Sequence, residues 1–348
     1  MRRMASAVIC VALAAASSAV AQDWAKANLE KSSRHGEFVT IHEPGGRDLQ
    51  AWVVYPEVKD KAPVVVMIHE IFGLSDWARE MADEVAGAGY IVVEPDLLSG
   101  LGPPTAASMN RFPALRQDVN FISTPEQETA PPKQPALPGT GCDPMACPPG
   151  KKPAVRASSR NEQQTQDHSH MQMPGNGAPY APARPGGTSA FPDQSAVTRA
   201  VSSLPDAQVM ADLDAAADYG KKLPAANGKL FVAGFCWGGG KSFLFATHRH
   251  DLSAAFVFYG PPPAEDLLKN ITAPVYGFYA QNDARITATV PKTQEEMKAL
   301  GKTYEPVVYD GAGHGFMRAG EAPDANAANS SARREGFKRL IDLMGGVR

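Results

Sequence analysis

The sequence predicts an α/β fold, a mostly parallel sheet with helices on both faces, interrupted by a long low-complexity insert. Three observations carry this. Short β-rich apolar runs alternate with amphipathic stretches of helical period, the pattern of strand–helix–strand units. The run Val64–Ile68 is continuously apolar rather than alternating, as a central strand covered on both faces requires. Residues 103–184 break the pattern: they hold half of the 30 prolines, many Gln, Ser and Ala, and few large apolar side chains.

Taken in order, Phe38–Ile41, Leu49–Tyr55, Val64–Ile68 and Tyr90–Val93 read as strands, with a helix over Asp76–Ala88. The 103–184 segment cannot bury enough apolar surface to offset its ordering entropy. It reads as a largely disordered, Pro-rich insert with one short helix around Leu115–Phe121. A helix then spans Asp206–Leu223, with Val209, Met210, Leu213 and Ala217 on one face. Strands at Lys229–Phe235, Ala255–Tyr259, Pro274–Ala280 and Tyr304–Tyr309 alternate with helices at Trp237–His248, Pro291–Leu300 and Ala327–Met344. Residues 22–102 and 185–348 together are expected to form one discontinuous domain.

The first 21 residues read as a secretory signal: Arg2 and Arg3, an uncharged apolar stretch from Ala5 to Ala16, and Ala19-Val20-Ala21 as a small-x-small cleavage site. An exported protein, periplasmic or extracellular, is expected, with no membrane span after signal cleavage. Cys142 and Cys147 are close enough to pair, which leaves Cys236 as a lone thiol. With 34 Lys+Arg against 37 Asp+Glu, the formal charge is −3. That balance argues against a nucleic-acid partner, which needs a basic surface. A monomer acting on a small molecule is expected.

The chemistry concentrates in two glycine-rich turns. Gly234-Phe235-Cys236-Trp237-Gly238 is the G-x-S-x-G nucleophile elbow with Cys in place of Ser, and it has the strand before and helix after that the motif demands. Small neighbours relieve the crowding of a nucleophile held at strained φ/ψ, and a helix N-terminus should favour the thiolate. His314 lies in a glycine-rich loop after the last strand, and Asp283 follows the strand before it. Nucleophile, acid, histidine is the chain order of α/β-hydrolase enzymes, in which the acid fixes the imidazole tautomer and the imidazole moves protons. Glu70 ends the apolar strand Val64–Ile68, where a charge needs a partner. The backbone N–H groups of Ile71 and Trp237 are the expected oxyanion donors. His69, beside Glu70, reads as structural before pocket-lining, Trp52 and Trp77 as core, and Trp237 as either.

Four segments together resemble the dienelactone hydrolase family: His-Glu-Ile-Phe-Gly (69–73), Gly-Phe-Cys-Trp-Gly-Gly-Gly (234–240), Asn-Asp-Ala-Arg (282–285) and Gly-Ala-Gly-His-Gly-Phe-Met-Arg (311–318). The resemblance covers roughly 36–102 and 185–345. It implies a carboxymethylenebutenolidase-like hydrolase that cleaves a carboxylic ester or lactone through an acyl-enzyme on Cys236, with no metal or organic cofactor. It further implies that Arg318 pairs with Glu70 at rest and helps hold a substrate carboxylate, and that Glu70 takes the Cys236 proton when substrate arrives. The sequence departs from the family after Pro95-Asp96-Leu97: Leu98-Ser99-Gly100 carries no second substrate-binding arginine, though the insert offers Arg111, Arg116, Arg156 and Arg160.

Two other readings stand beside this one. The same fold could serve as a non-catalytic binding protein. The cluster His168-Ser169-His170-Met171-Gln172-Met173 could bind copper, since imidazole and thioether ligands suit that metal.

Overall fold

The computed structural model describes residues 22–102 and 186–347. The expected leader, the insert with its short helix and its arginines, the Cys142–Cys147 pair and the His168–Met173 cluster lie outside the described residues.

Eight strands form one sheet: β1 (Gly36–His42), β2 (Asp48–Val54), β3 (Ala62–Ile68), β4 (Ile91–Pro95), β5 (Ala226–Phe235), β6 (Ala254–Phe258), β7 (Val275–Ala280) and β8 (Tyr304–Tyr309). Their order is β1-β2-β4-β3-β5-β6-β7-β8. The β1/β2 and β2/β4 pairs are antiparallel, and every other neighbouring pair is parallel. The mixed α/β sheet read from the sequence is therefore present, with strand limits within a few residues of those expected.

The strands alternate between two apolar layers. On β3, Val64, Val66 and Ile68 enter one layer, while Val65 and Met67 enter the other; all five are fully buried. Burial of each such side chain stabilises the fold by about 1.5–3 kcal/mol. Helices α1 (Asp23–Lys31), α2 (Asp76–Gly87) and, at the chain's end, the helix Ala327–Gly346 cover the layer that holds Val65. The other layer is closed by α3 (Gln194–Ser202), α4 (Asp206–Lys222), α5 (Trp237–His248) and, after the short helix α6 (Ala284–Thr287), by α7 (Val290–Ala299). A second short helix, α8 (Phe316–Ala319), makes the closing Ala327–Gly346 helix α9.

The ends of these helices are satisfied locally. Ser75 Oγ accepts from Ala78 N, Asp193 Oδ1 from Ala196 N, and Asn326 Oδ1 from Asn329 N, each capping a helix. α1 and α3 were not anticipated. α1 is held by tertiary contacts, with Asn28 Nδ2 donating to Glu80 and Ser32 Oγ to Asp83 of α2.

The chain resumes at Gly186 beside the end of β4. Asp96 accepts from Thr188 N at 2.7 Å and from Thr188 Oγ1 at 2.9 Å, and Thr188 Oγ1 in turn accepts from Leu74 N at 3.0 Å. Gly187, at φ +85°, lies so close that a Cβ there would meet Asp96 Oδ2 at 2.5 Å. This clasp ties the turn after β4 to the loop after β3.

Candidate active site

Parallel strands end on one side of the sheet, so the residues that follow β3, β5, β6, β7 and β8 converge there. Those residues are Glu70, Cys236, Tyr259, Asp283 and His314.

Cys236 links β5 to α5 with φ 55° and ψ −116°, a conformation rare for a residue with a side chain and one that costs on the order of 1–3 kcal/mol. The turn survives because the backbones around it touch. A Cβ on Gly234 would sit 2.0 Å from Gly238 O, and a Cβ on Gly238 only 2.4 Å from His69 O. No side chain fits at either position, which explains the two glycines that frame the motif.

His314 Nε2 lies 3.1 Å from Cys236 Sγ, and His314 Nδ1 lies 2.5 Å from Asp283 Oδ2. The Asp283 carboxylate accepts a hydrogen bond from Nδ1–H, so Nε2 is left with its lone pair towards the sulfur. The two loops that carry the acid and the histidine brace each other: Asn282 N donates to Ala312 O, Gln281 Oε1 accepts from Gly311 N, and Asn329 Oδ1 of α9 accepts from Gly313 N.

The main-chain N–H groups of Ile71 and Trp237 both act on Cys236 Sγ, each favouring its anion. Glu70 is 2% exposed. Its Oε2 accepts from Arg318 Nε at 2.8 Å and its Oε1 from the Tyr259 hydroxyl at 3.3 Å. The Arg318 guanidinium also lies 4.8 Å from the centre of the Phe72 ring. All seven residues expected from the sequence are thus gathered at one place: Cys236, His314, Asp283, Glu70, Ile71, Trp237 and Arg318.

The helix-end preference for a thiolate is outweighed at rest, in keeping with the expectation of a proton that Glu70 takes only when substrate arrives. Burial, with the Glu70 carboxylate second, pushes the Cys236 thiol up to about 11. The N–H groups of Trp237 and Ile71 and the charge of Arg318 pull the other way, but they are the smaller influences. A helix N-terminus does favour the anion, yet it does not outweigh desolvation and a carboxylate that the fold brings in from another strand. The resting sulfur carries its proton.

Tyr259 was missed by the sequence reading. It has φ +40°, is fully buried, and sets its ring edge-on to His314 with centroids 5.1 Å apart. Burial holds its hydroxyl well above the ordinary range, so it stays a donor to Glu70. The only local hint is its place at a strand end before Gly260-Pro261.

Elsewhere, carboxylate oxygens of Glu80, Glu84 and Glu321 come within 4.8 Å of one another. Arg333 already bridges Glu84 and Glu321, so the chain supplies its own cation there. Among the described residues, no helix is long and apolar enough to cross a membrane.

The family model for the dienelactone hydrolase family matches residues 49–130 and 178–347. The chain belongs to the dienelactone hydrolase family. It is a hydrolase of that family, and its Cys–His–Asp chain and Glu70–Arg318 pair fall within the matched residues. A Salmonella typhi protein assigned as a carboxymethylenebutenolidase is 31% identical over 309 residues, which is 85% of this chain and 82% of that protein. A Methylorubrum extorquens protein with the same assignment is 38% identical over 178 residues, and the match spans 47% of this chain and 60% of that protein. A solved structure from Klebsiella pneumoniae, assigned as a dienelactone hydrolase, superposes with a TM-score of 0.58 at 22% identity, covering 89% of this chain and 98% of that one. The last comparison speaks to the fold.

Proposed function

We propose that this family member hydrolyses a carboxylic ester or lactone through a thioester on Cys236. The observation that carries the reading is the relay of His314 Nε2 at 3.1 Å from Cys236 Sγ and Asp283 at 2.5 Å from His314 Nδ1, with two main-chain N–H groups converging on the same sulfur. The assignments of the two relatives as carboxymethylenebutenolidases support a lactone as substrate.

As Sγ attacks the carbonyl carbon, its proton passes to His314 Nε2. The C=O electron pair becomes an oxyanion held by the N–H groups of Ile71 and Trp237. Collapse breaks the C–O bond and forms the thioester, and the leaving oxygen takes the proton from His314. In a lactone that oxygen stays tethered to the acyl chain. Water, deprotonated by His314, then attacks the thioester and releases the acid and the thiol.

Arg318 is 30% exposed along its side chain, so a substrate carboxylate can reach it. An anionic substrate there competes with Glu70 for the guanidinium. Glu70, once released, becomes a second acceptor for the thiol proton, the role that the family resemblance implies.

The test is turnover of p-nitrophenyl acetate and of dienelactone by wild type and Cys236→Ala. Wild-type turnover with loss to background in the variant is expected; undiminished turnover in the variant overturns the assignment. We further propose export, supported by the Arg2-Arg3 start, the apolar stretch and Ala19-Val20-Ala21. N-terminal sequencing of the protein from its native host should begin near Gln22, and an N-terminus at Met1 would refute this.

A further inference from the structure

His69 is fully buried, its Nδ1 lies 2.8 Å from Glu70 O, and its Nε2 has no hydrogen-bond partner among the described residues. Nδ1 can meet a carbonyl oxygen only as a donor, so the ring carries its proton there. Burial pushes the imidazole pKa down, against the opposing charge of Asp96, and the ring is neutral. A neutral histidine with one orphaned nitrogen is a costly core residue, since an apolar side chain would leave nothing unsatisfied.

What the hydrogen bond holds is the point of interest. Glu70 C=O and Ile71 N–H belong to one planar trans peptide and point in opposite directions. To fix the carbonyl is to aim the N–H, and that N–H is one of the two that favour the anion of Cys236 Sγ. Gly73 N also donates to Glu70 O, at 3.1 Å, so the carbonyl is gripped from two sides. The His69 ring lies face to face with the Trp237 indole, with centroids 5.8 Å apart and planes 12° apart. Trp237 supplies the other N–H at the sulfur. One side chain therefore touches the carbonyl of the peptide that carries one N–H and the ring of the residue that carries the other.

We propose that His69 is a positioning residue of the oxyanion hole, whose Nδ1–H locks the Glu70–Ile71 peptide so that Ile71 N–H meets the developing oxyanion. This rests on the acyl-transfer reading above. The residue touches neither substrate nor sulfur; it acts through the peptide.

His69→Leu removes the donor and keeps an apolar, buried side chain. His69→Asn keeps a donor where Nδ1 stands. With p-nitrophenyl acetate, His69→Leu is expected to lower kcat by about 10- to 1,000-fold, the upper end being the loss of one whole oxyanion donor. KM should change less than about threefold, as for an interaction made in the transition state. His69→Asn should recover most of the lost kcat. Because Ile71 N–H also favours the Cys236 thiolate, alkylation by iodoacetamide should slow in His69→Leu and recover in His69→Asn.

A kcat within about threefold of wild type in His69→Leu overturns the proposal, as do equal losses in the Leu and Asn variants. Cys236→Ala run alongside separates the two levels. If it retains turnover, the nucleophile assignment fails; if it is dead while His69→Leu is fully active, only the His69 role fails. Nitrogen-15 NMR of the wild type gives a readout independent of any variant's folding. The Nδ1–H tautomer is expected. The Nε2–H tautomer also overturns it.

Discussion

Arg318 Nε donates to Glu70 Oε2 at 2.8 Å, and the two charges act on one sulfur in opposite senses: Glu70 raises the Cys236 pKa and Arg318 lowers it. The pair thus acts on the Cys236 proton as well as being an ion pair. Because Arg318 is partly exposed while Glu70 is buried, solvent and ligands reach the arginine first.

The first prediction follows from those signs. Wild-type Cys236 should alkylate slowly at neutral pH, with a rate that climbs until about pH 11, because the thiol is protonated below that value. Glu70→Gln removes the charge that raises the thiol, so alkylation at pH 8 should be faster by roughly 3- to 10-fold, even though turnover falls. Arg318→Met removes a charge that lowers the thiol and should slow alkylation. A rate order of Arg318→Met above wild type above Glu70→Gln would contradict the electrostatics drawn from this geometry.

The second concerns the elbow. Gly238→Ala places a methyl group 2.4 Å from His69 O and 2.5 Å from Ile68 O, both backbone atoms that cannot swing aside. The start of α5 must then move away from the end of β3. A stability loss of about 1–3 kcal/mol in urea unfolding is expected, with little remaining turnover. A variant as stable as wild type would show that the two backbones do not confine this position.

How much of this was legible in the sequence depends on the range of the interaction. The elbow, the acid loop and the histidine loop could be read because each is a local strand–turn pattern, and chain order alone then puts them at the same sheet edge. Glu70 was legible as a charge ending an apolar strand. The protonation state of Cys236 was not, because it is set by burial and by a carboxylate from β3, and a local helix-end argument sees neither. Tyr259 at φ +40° was hidden for the same reason: it fills a left-handed position without being glycine, held by contacts with Glu70 and His314. α1 buries only Ala25 and Leu29, too short an apolar pattern to stand out in the sequence, and polar contacts with α2 help to hold it. Glu94 escaped notice within the apolar run Ile91–Pro95; it is fully buried, and burial holds its carboxyl well above the usual range.

The third prediction tests the clasp between Asp96 and Thr188. Thr188→Val keeps the shape but removes the hydroxyl that donates to Asp96 and accepts from Leu74 N. Loss of about 1–3 kcal/mol is expected, with Thr188→Ser near wild type, because a buried donor and acceptor are left unpaired. Since Leu74 follows the loop that carries Ile71, kcat should fall more than KM rises. Equal stability in the Val and Ser variants would remove the hydroxyl from the account.

The fourth concerns stability against pH. Glu80 sits on α2 at 3% exposure, and burial, then the charges of Glu321 and Glu84, push its carboxyl up to about 9 from an ordinary 4.5. Between those two values the folded chain keeps a proton that the unfolded chain gives up. The favourable contribution is therefore complete below about 4.5 and is lost as pH rises towards about 9. Glu80→Gln carries the neutral shape at every pH and can still accept from Asn28 Nδ2, which donates to Glu80 Oε1 at 3.2 Å in the wild type. The variant should melt with the wild type at pH 5. At pH 8.5 it should be more stable by at least about 1 kcal/mol, or about 2–4 °C in Tm for a domain of this size. Thermal melts at the two pH values decide it: a difference that is the same at both would show that the carboxyl does not hold its proton in the folded state.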